Sequence, residues 1–257
     1  MDSQERADRR RDDPHGAAVV AEEFGLKGAR GWVFHHVRVG AAPGTVVVIE
    51  GPSGSGRTSL LLALTGRMRP TEGRAEIAGL PLPRAMAAVR RISGLGHVPG
   101  VSDLDPALTV AEHLRERALL QRRFGGSPRA LPWPRARRTA EARGRIDAAL
   151  KAAGLDTTAL PKGERTSVRD LERLEALRLS VALALIGRPR LLAVDDLDLK
   201  LSDADRAAAW RLLRSVAEDG TTVLAVCGQA PEDANTVIRT NDNEEGAADA
   251  LAETGRA

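Results

Sequence analysis

The chain has 257 residues, 42% of them hydrophobic, which is enough for one large α/β domain or two small ones with a buried core. Its formal charge of +3 is too slight to imply a nucleic-acid partner without a concentrated patch. A single cysteine, Cys227, excludes an intrachain disulfide and a cysteine-based zinc site, and no apolar run reaches the about 18 residues of a transmembrane helix.

Residues 1–16 are largely charged and contain no apolar stretch of the kind a secretory signal needs. Together with the polar, Ala/Gly-rich residues 241–257 they read as disordered tails around a domain spanning 17–240, and a cytoplasmic location follows. Thr45–Ile49 (TVVVI), bounded by Gly44 and Gly51, has the pattern of a strand buried on both faces. Ser59–Met68 reads as the helix after it.

Between them runs Gly51-Pro52-Ser53-Gly54-Ser55-Gly56-Arg57-Thr58-Ser59. It meets the pattern GxxxxGK followed by Ser or Thr at every fixed position except the lysine, which is Arg57. The glycines permit positive φ and close backbone approach to an anion. Successive N–H groups and the positive end of the helix dipole favour phosphate there, and the Thr58 hydroxyl suits Mg²⁺. A ligand-free turn would match the glycines alone; the flanking strand and helix, with Thr58 in place, favour a phosphate-binding loop. Arg57 keeps the charge, but its planar fork is bulkier than an ammonium and cannot act as the same point charge. Lysine is scarce throughout, with Lys27, Lys151, Lys162 and Lys200 the only ones among 38 basic residues, so general drift to arginine competes with a specialised role.

Arg74–Leu82, punctuated by Gly79 and Pro81, reads as a small antiparallel β element. Thr109 can cap a helix starting at Val110, with Glu112 in its first turn. The Pro-, Gly- and Arg-rich residues 124–144 read as a loop within a mainly helical segment. Leu171–Ile186 reads as a long helix stopped by Gly187 and Pro189, and Leu191–Val194 as a buried strand. Ser202 with Asp205 opens a helix that Gly220 ends. Thr221–Cys227 is a third buried strand. Buried strands alternating with helices indicate an α/β domain with a parallel sheet.

In this register the chain resembles the ATP-binding cassette domain of ABC transporters over about residues 20–240. The resemblance rests on Ala42-Pro43-Gly44 leading through TVVVIEGPSGSGRTSLLLALTG, on Arg69-Pro70-Thr71-Glu72-Gly73 with Ile77-Ala78-Gly79, on Val98-Pro99 with Leu108-Thr109-Val110-Ala111-Glu112-His113-Leu114, on Ala182–Asp196 (ALALIGRPRLLAVDD), and on Thr221–Val226. It implies a P-loop NTPase: a RecA-like core with a mainly parallel sheet, a small antiparallel β element and an inserted α-helical subdomain at about 100–180. The implied cofactors are ATP and Mg²⁺, held by Gly51 to Ser59, with Thr58 and Asp195 on the metal. Asp196 takes the place of the catalytic glutamate, one methylene shorter. The implied partners are a membrane-spanning permease subunit and a second cassette, in a homo- or heterodimer at the cytoplasmic face of the membrane, and no nucleic acid.

Several positions depart from that family. Gly100 stands at the glutamine of the Q-loop and Gly228 at the switch histidine. Leu171-Glu172-Arg173-Leu174-Glu175 stands where the signature reads LSGGQ, and Leu199-Lys200-Leu201-Ser202 is unlike the family's D-loop. No aromatic falls near Gly28, where the family stacks adenine; Trp32 and Phe24 read as core. The expectation is an ATP-binding transporter subunit that hydrolyses weakly or only with a partner. The competing reading is a nucleotide-binding regulatory or assembly module without ATPase activity. A soluble cassette of translation or DNA repair fits less well, because those carry paired cassettes or long coiled-coil insertions.

Overall fold

A computed structural model describes residues 15–29, 31–124, 135–197 and 201–240. The expected tails, apart from His15 and Gly16, and Leu199 and Lys200 of the D-loop position lie outside those residues.

Two sheets organise the molecule. Strands β3 (Val46–Glu50), β6 (Ser93–Leu95), β7 (Leu191–Val194), β8 (Thr222–Cys227) and β9 (Thr236–Arg239) form a sheet of order β6-β7-β8-β3-β9, parallel at every pairing. Strands β1 (Val19–Gly28), β2 (Gly31–Ala41), β4 (Glu72–Ile77) and β5 (Leu80–Leu82) form an antiparallel sheet of order β2-β1-β4-β5. The helices are α1 (Arg57–Leu64), α2 (Met86–Ile92), α3 (Val110–Phe124), α4 (Arg135–Ala152), α5 (Arg173–Leu185) and α6 (Asp203–Glu218).

The parallel strands are apolar throughout because both faces are covered. On β8, Leu224 and Val226 join a core with Val47, Ile49, α1 and the antiparallel sheet. Val223, Ala225 and Cys227 join the opposite core with Val48, α5 and α6. Period-two alternation thus sorts one unbroken apolar run into two layers.

The caps formed as the sequence predicts. Thr109 and Glu112 bond reciprocally at the start of α3, with Thr109 N–H donating to Glu112 Oε2 at 2.7 Å. The Ser202 hydroxyl accepts the Asp205 N–H at 3.2 Å to open α6.

Three features differ from expectation. The stretch expected as a loop over 124–144 is helical from Arg135 onward: its prolines end at Pro134, and the Arg, Ala and Glu residues that follow are strong helix formers. The β1–β2 hairpin was not foreseen, its alternation being interrupted by register shifts between Ala21 and Lys27. Nor was β9, four residues that pair with β3 and extend the sheet. At the N-terminal edge, the Arg190 side chain donates to the carbonyls of His15 and Gly16, both at 3.0 Å.

Candidate functional site

The loop after β3 and the acid after β7 meet at the C-terminal edge of the parallel sheet, the crevice where open α/β sheets bind ligands. Gly51 leaves β3 beside Thr240, and a Cβ on it would collide with the Thr240 hydroxyl and carbonyl. Gly56 has φ +82°, and a Cβ there would run into the Val33 carbonyl of β2. Gly54, at φ +88°, faces open space. Ser55 is buried, its hydroxyl 2.6 Å from that of Thr240. β2 and the segment after β9 therefore clamp the loop from behind, and its outer side, with Pro52, Ser53 and Gly54, stays exposed.

α1 starts directly from the loop. Gly56 is its N-cap; no side chain caps it and no acid stands in its first turn. Its leading N–H groups have no side-chain acceptor of their own, and the helix dipole adds positive potential there. Ser59 lies half-buried in that turn.

Thr58 Oγ1 donates to Asp195 Oδ2 at 2.6 Å, bridging α1 to the end of β7. Asp195 is 1% exposed. Its other oxygen accepts the Asp196 N–H at 2.8 Å, and its own N–H donates to the His97 carbonyl at 2.7 Å. Burial pushes its carboxyl above the ordinary aspartate range, helped by the neighbouring charge of Asp196; the Thr58 hydroxyl, the Asp196 amide and Arg57 pull the other way. A buried carboxylate beside a hydroxyl, with burial opposing its charge, fits a hard cation. Among the described residues no cluster of three or more acidic, histidine or cysteine side chains forms a cation cage.

Arg57 does not fold over the loop. Its Nη1 donates to the Cys227 carbonyl, at the end of β8, at 2.6 Å. Asp196 adopts φ +52° and lines a cavity of about 380 Å³ with His97, Asp103, Arg173 and Leu177. The cavity gives Asp196 neighbours that sequence reasoning did not name. Val33, Thr240 and His97 were missed as well: Val33 and His97 act through backbone carbonyls, and the Thr240 hydroxyl meets Ser55 from 185 positions away, so no local pattern marks them.

The departures from the family have local causes. Gly100 has φ +74° and its N–H donates to Asp103 Oδ2 at 2.8 Å, a turn that a glutamine would strain. At the signature position Glu172 is the N-cap of α5 and forms a capping box with Glu175, whose carboxylate accepts the Glu172 N–H at 2.8 Å. Phe24 is fully buried, 5.8 Å from the Phe34 ring. Trp32 was expected in the core but is only half-buried, with Lys27 Nζ 5.4 Å from its ring centre.

The family model described as "ABC transporter" matches residues 34–197. The Nod factor export ATP-binding protein I of Cupriavidus pinatubonensis is 32% identical over 211 residues, covering 82% of this chain and 54% of that protein. Its counterpart from Cupriavidus metallidurans is 34% identical over 183 residues, covering 71% and 53%. The chain thus spans about half the length of these curated relatives. Among solved structures, the dimeric MJ0796 bacterial ABC transporter cassette superposes with TM-score 0.65 at 23% identity, covering 87% of this chain and 94% of that one. cbiO1 from Clostridium perfringens superposes with TM-score 0.65 at 20% identity, covering 92% and 93%. No helix among the described residues is long and apolar enough to cross a membrane. A phosphate-loop fold whose family match runs from the β2 strand past Asp195 places this chain in the ABC transporter family, among its ATP-binding cassettes.

Proposed function

We propose that the chain binds ATP with Mg²⁺ and serves as an ATP-binding subunit of a transporter. In this reading the amides and hydroxyls of Gly51 to Ser59 cradle the phosphates. Thr58 and Asp195 would hold Mg²⁺ between them. The observation that carries the reading is the Thr58–Asp195 contact across the crevice, which puts two hard oxygens beside an uncapped helix start. Mg²⁺ bound there would neutralise phosphate charge. Asp196, one methylene short of the usual glutamate, would orient water weakly.

A membrane-spanning permease and a second cassette are the proposed partners. Support comes from the names of similar proteins: Nod factor exporters among the relatives, and cbiO1, described as part of the complex cbiONQ. Such a subunit works at the cytoplasmic face of the membrane. Gly100 and Gly228 offer no side chain to the reaction, and losing one well-placed polar group costs on the order of 10²- to 10³-fold in rate. Hydrolysis by this chain alone is therefore slow, and a partner cassette with an intact signature completes the site built on Gly51–Ser59.

The self-capped start of α5 favours a second reading, a nucleotide-binding regulatory or assembly module without turnover. Equilibrium dialysis of ATP with and without Mg²⁺, on wild type and Asp195→Asn, tests binding; turnover beside a permease and an intact cassette separates the two readings. Mg²⁺-independent binding, or Asp195→Asn binding as wild type, would refute the site. Robust turnover by the purified chain, abolished in Asp196→Asn, would refute the weak-hydrolysis reading.

A further inference from the structure

The opposite edge of the parallel sheet carries a second cleft. Pro189, just before β7, and Thr221, just before β8, line it, so it opens at the N-terminal ends of the strands, away from the phosphate loop. Its volume is about 430 Å³, within the roughly 300–1,000 Å³ of small-molecule sites. The walls are mostly aliphatic: Ala149 of α4, Ile186 after α5 and Val216 of α6 are buried and face it.

Its polar groups are unbalanced. Arg145, Arg188 and His15 line the cleft against one acid, Asp219. Among the described residues the Arg145 Nε is buried with no hydrogen-bond partner. A buried guanidinium donor left without an acceptor is unfavourable, and native structures rarely leave one so unless a ligand or water fills the place. Arg188 is held at φ +47°, and the His15 Nε2–H donates to its carbonyl at 3.2 Å, fixing both beside the opening.

We propose that this cleft binds a soluble organic anion, a carboxylate or phosphate monoester on a short aliphatic body. The anionic head pairs with the guanidinium groups of Arg145 and Arg188, which line the cleft, and the aliphatic part lies along Ala149, Ile186 and Val216. Arginine is suited to such a head because its donors are fixed in a planar fork. The bound anion ties α4, on the inserted helical segment, to the ends of α5 and α6, so it stiffens the junction between that segment and the sheet. The proposal is independent of the nucleotide site.

The test uses the full chain with octanoate, octyl phosphate and the uncharged octan-1-ol in thermal melts and isothermal titration. Either anion should raise Tm by several degrees near saturation, and the alcohol should not. Arg145→Met should weaken anion binding at least tenfold. Ala148→Leu, at an exposed position of α4 on the cleft wall, should block it while leaving ATP binding at the wild-type level; it carries the test if the arginine variant does not fold. The proposal is overturned if neither anion binds, if octan-1-ol binds as well as octanoate, or if Ala148→Leu binds the anions as wild type does.

Discussion

Helices α1 and α5 both begin on stretches that the proposed register sets against the family's phosphate-binding segments, and their first turns have opposite electrostatics. α1 opens from Gly56 with no side-chain cap and no acid in its first turn. α5 opens from Glu172 with a complete capping box, so two carboxylates already occupy its start. Both helices face the same physical demand, because the leading N–H groups of any helix need acceptors. In α5 the acceptors come from the chain itself, tethered at high effective concentration. In α1 the demand is left open and the loop is held from behind by Val33 and Thr240. An anion site is thus a helix start whose donors the sequence has declined to satisfy.

The comparison breaks most sharply if α1 is given what α5 has. Ser53→Asp adds a carboxylate at an exposed loop position without touching the core. Like charges about 4 Å apart at an effective dielectric near 20 repel by about 4 kcal/mol. ATP-Mg²⁺ affinity should therefore fall by roughly 10³-fold, with Tm within a degree or two of wild type. Unchanged affinity in equilibrium dialysis would remove this loop from nucleotide binding. Next in size is Gly56→Ala, which combines left-handed strain with a collision on the Val33 carbonyl and should cost roughly 2–5 kcal/mol of stability. Gly54→Ala meets open space and should cost only the left-handed strain of about 1–2 kcal/mol. Urea midpoints that fail to separate the two would mean that β2 does not clamp the loop.

At α5 the expected effects are smaller. Glu175→Ala removes one arm of the capping box and should lower stability by about 1 kcal/mol. Replacing Glu172, Arg173, Leu174 and Glu175 by Ser, Gly, Gly and Gln restores the family's signature in a helix that two glycines weaken by about 1 kcal/mol each. If the carboxylates are what closes this surface, that variant should self-associate on adding ATP, while wild type stays monomeric under light scattering. ATP-dependent dimerisation of the wild type would show that the self-cap yields to nucleotide.

This contrast also divides what the sequence could tell from what it could not. The TVVVI strand, the loop and the LLAVDD strand were legible because burial on both faces and glycine spacing are properties of residue type. The pairing of Asp195 with the loop came from family register; no local pattern links residues 137 positions apart. The capping box at Glu172 and Glu175 is legible in principle, since an acid three residues beyond the capping position is a helix-start signature. Val33 left no trace because it acts through its carbonyl, and Thr240 because its hydroxyl meets Ser55 only across 185 positions of chain. α4 was hard to read because Pro132 and Pro134 directly precede, in sequence, the Arg135 at which the helix begins.

Arg57→Lys should give the smallest effect and bears on how open α1 really is. The guanidinium donates to the Cys227 carbonyl at 2.6 Å, a charge-assisted bond of the stronger kind. A phosphate bound at the loop, as proposed, would compete with that carbonyl for the same group. Lysine carries a compact point charge that matches single phosphate oxygens and lacks the rigid fork, so the variant should bind ATP-Mg²⁺ several-fold more tightly and lose a little thermal stability with the Cys227 contact. If affinity instead falls by tenfold or more, the fork itself grips the phosphates and the carbonyl is only its resting place. The substitution at this loop would then be an adaptation of the site, and general drift from lysine to arginine would not account for it.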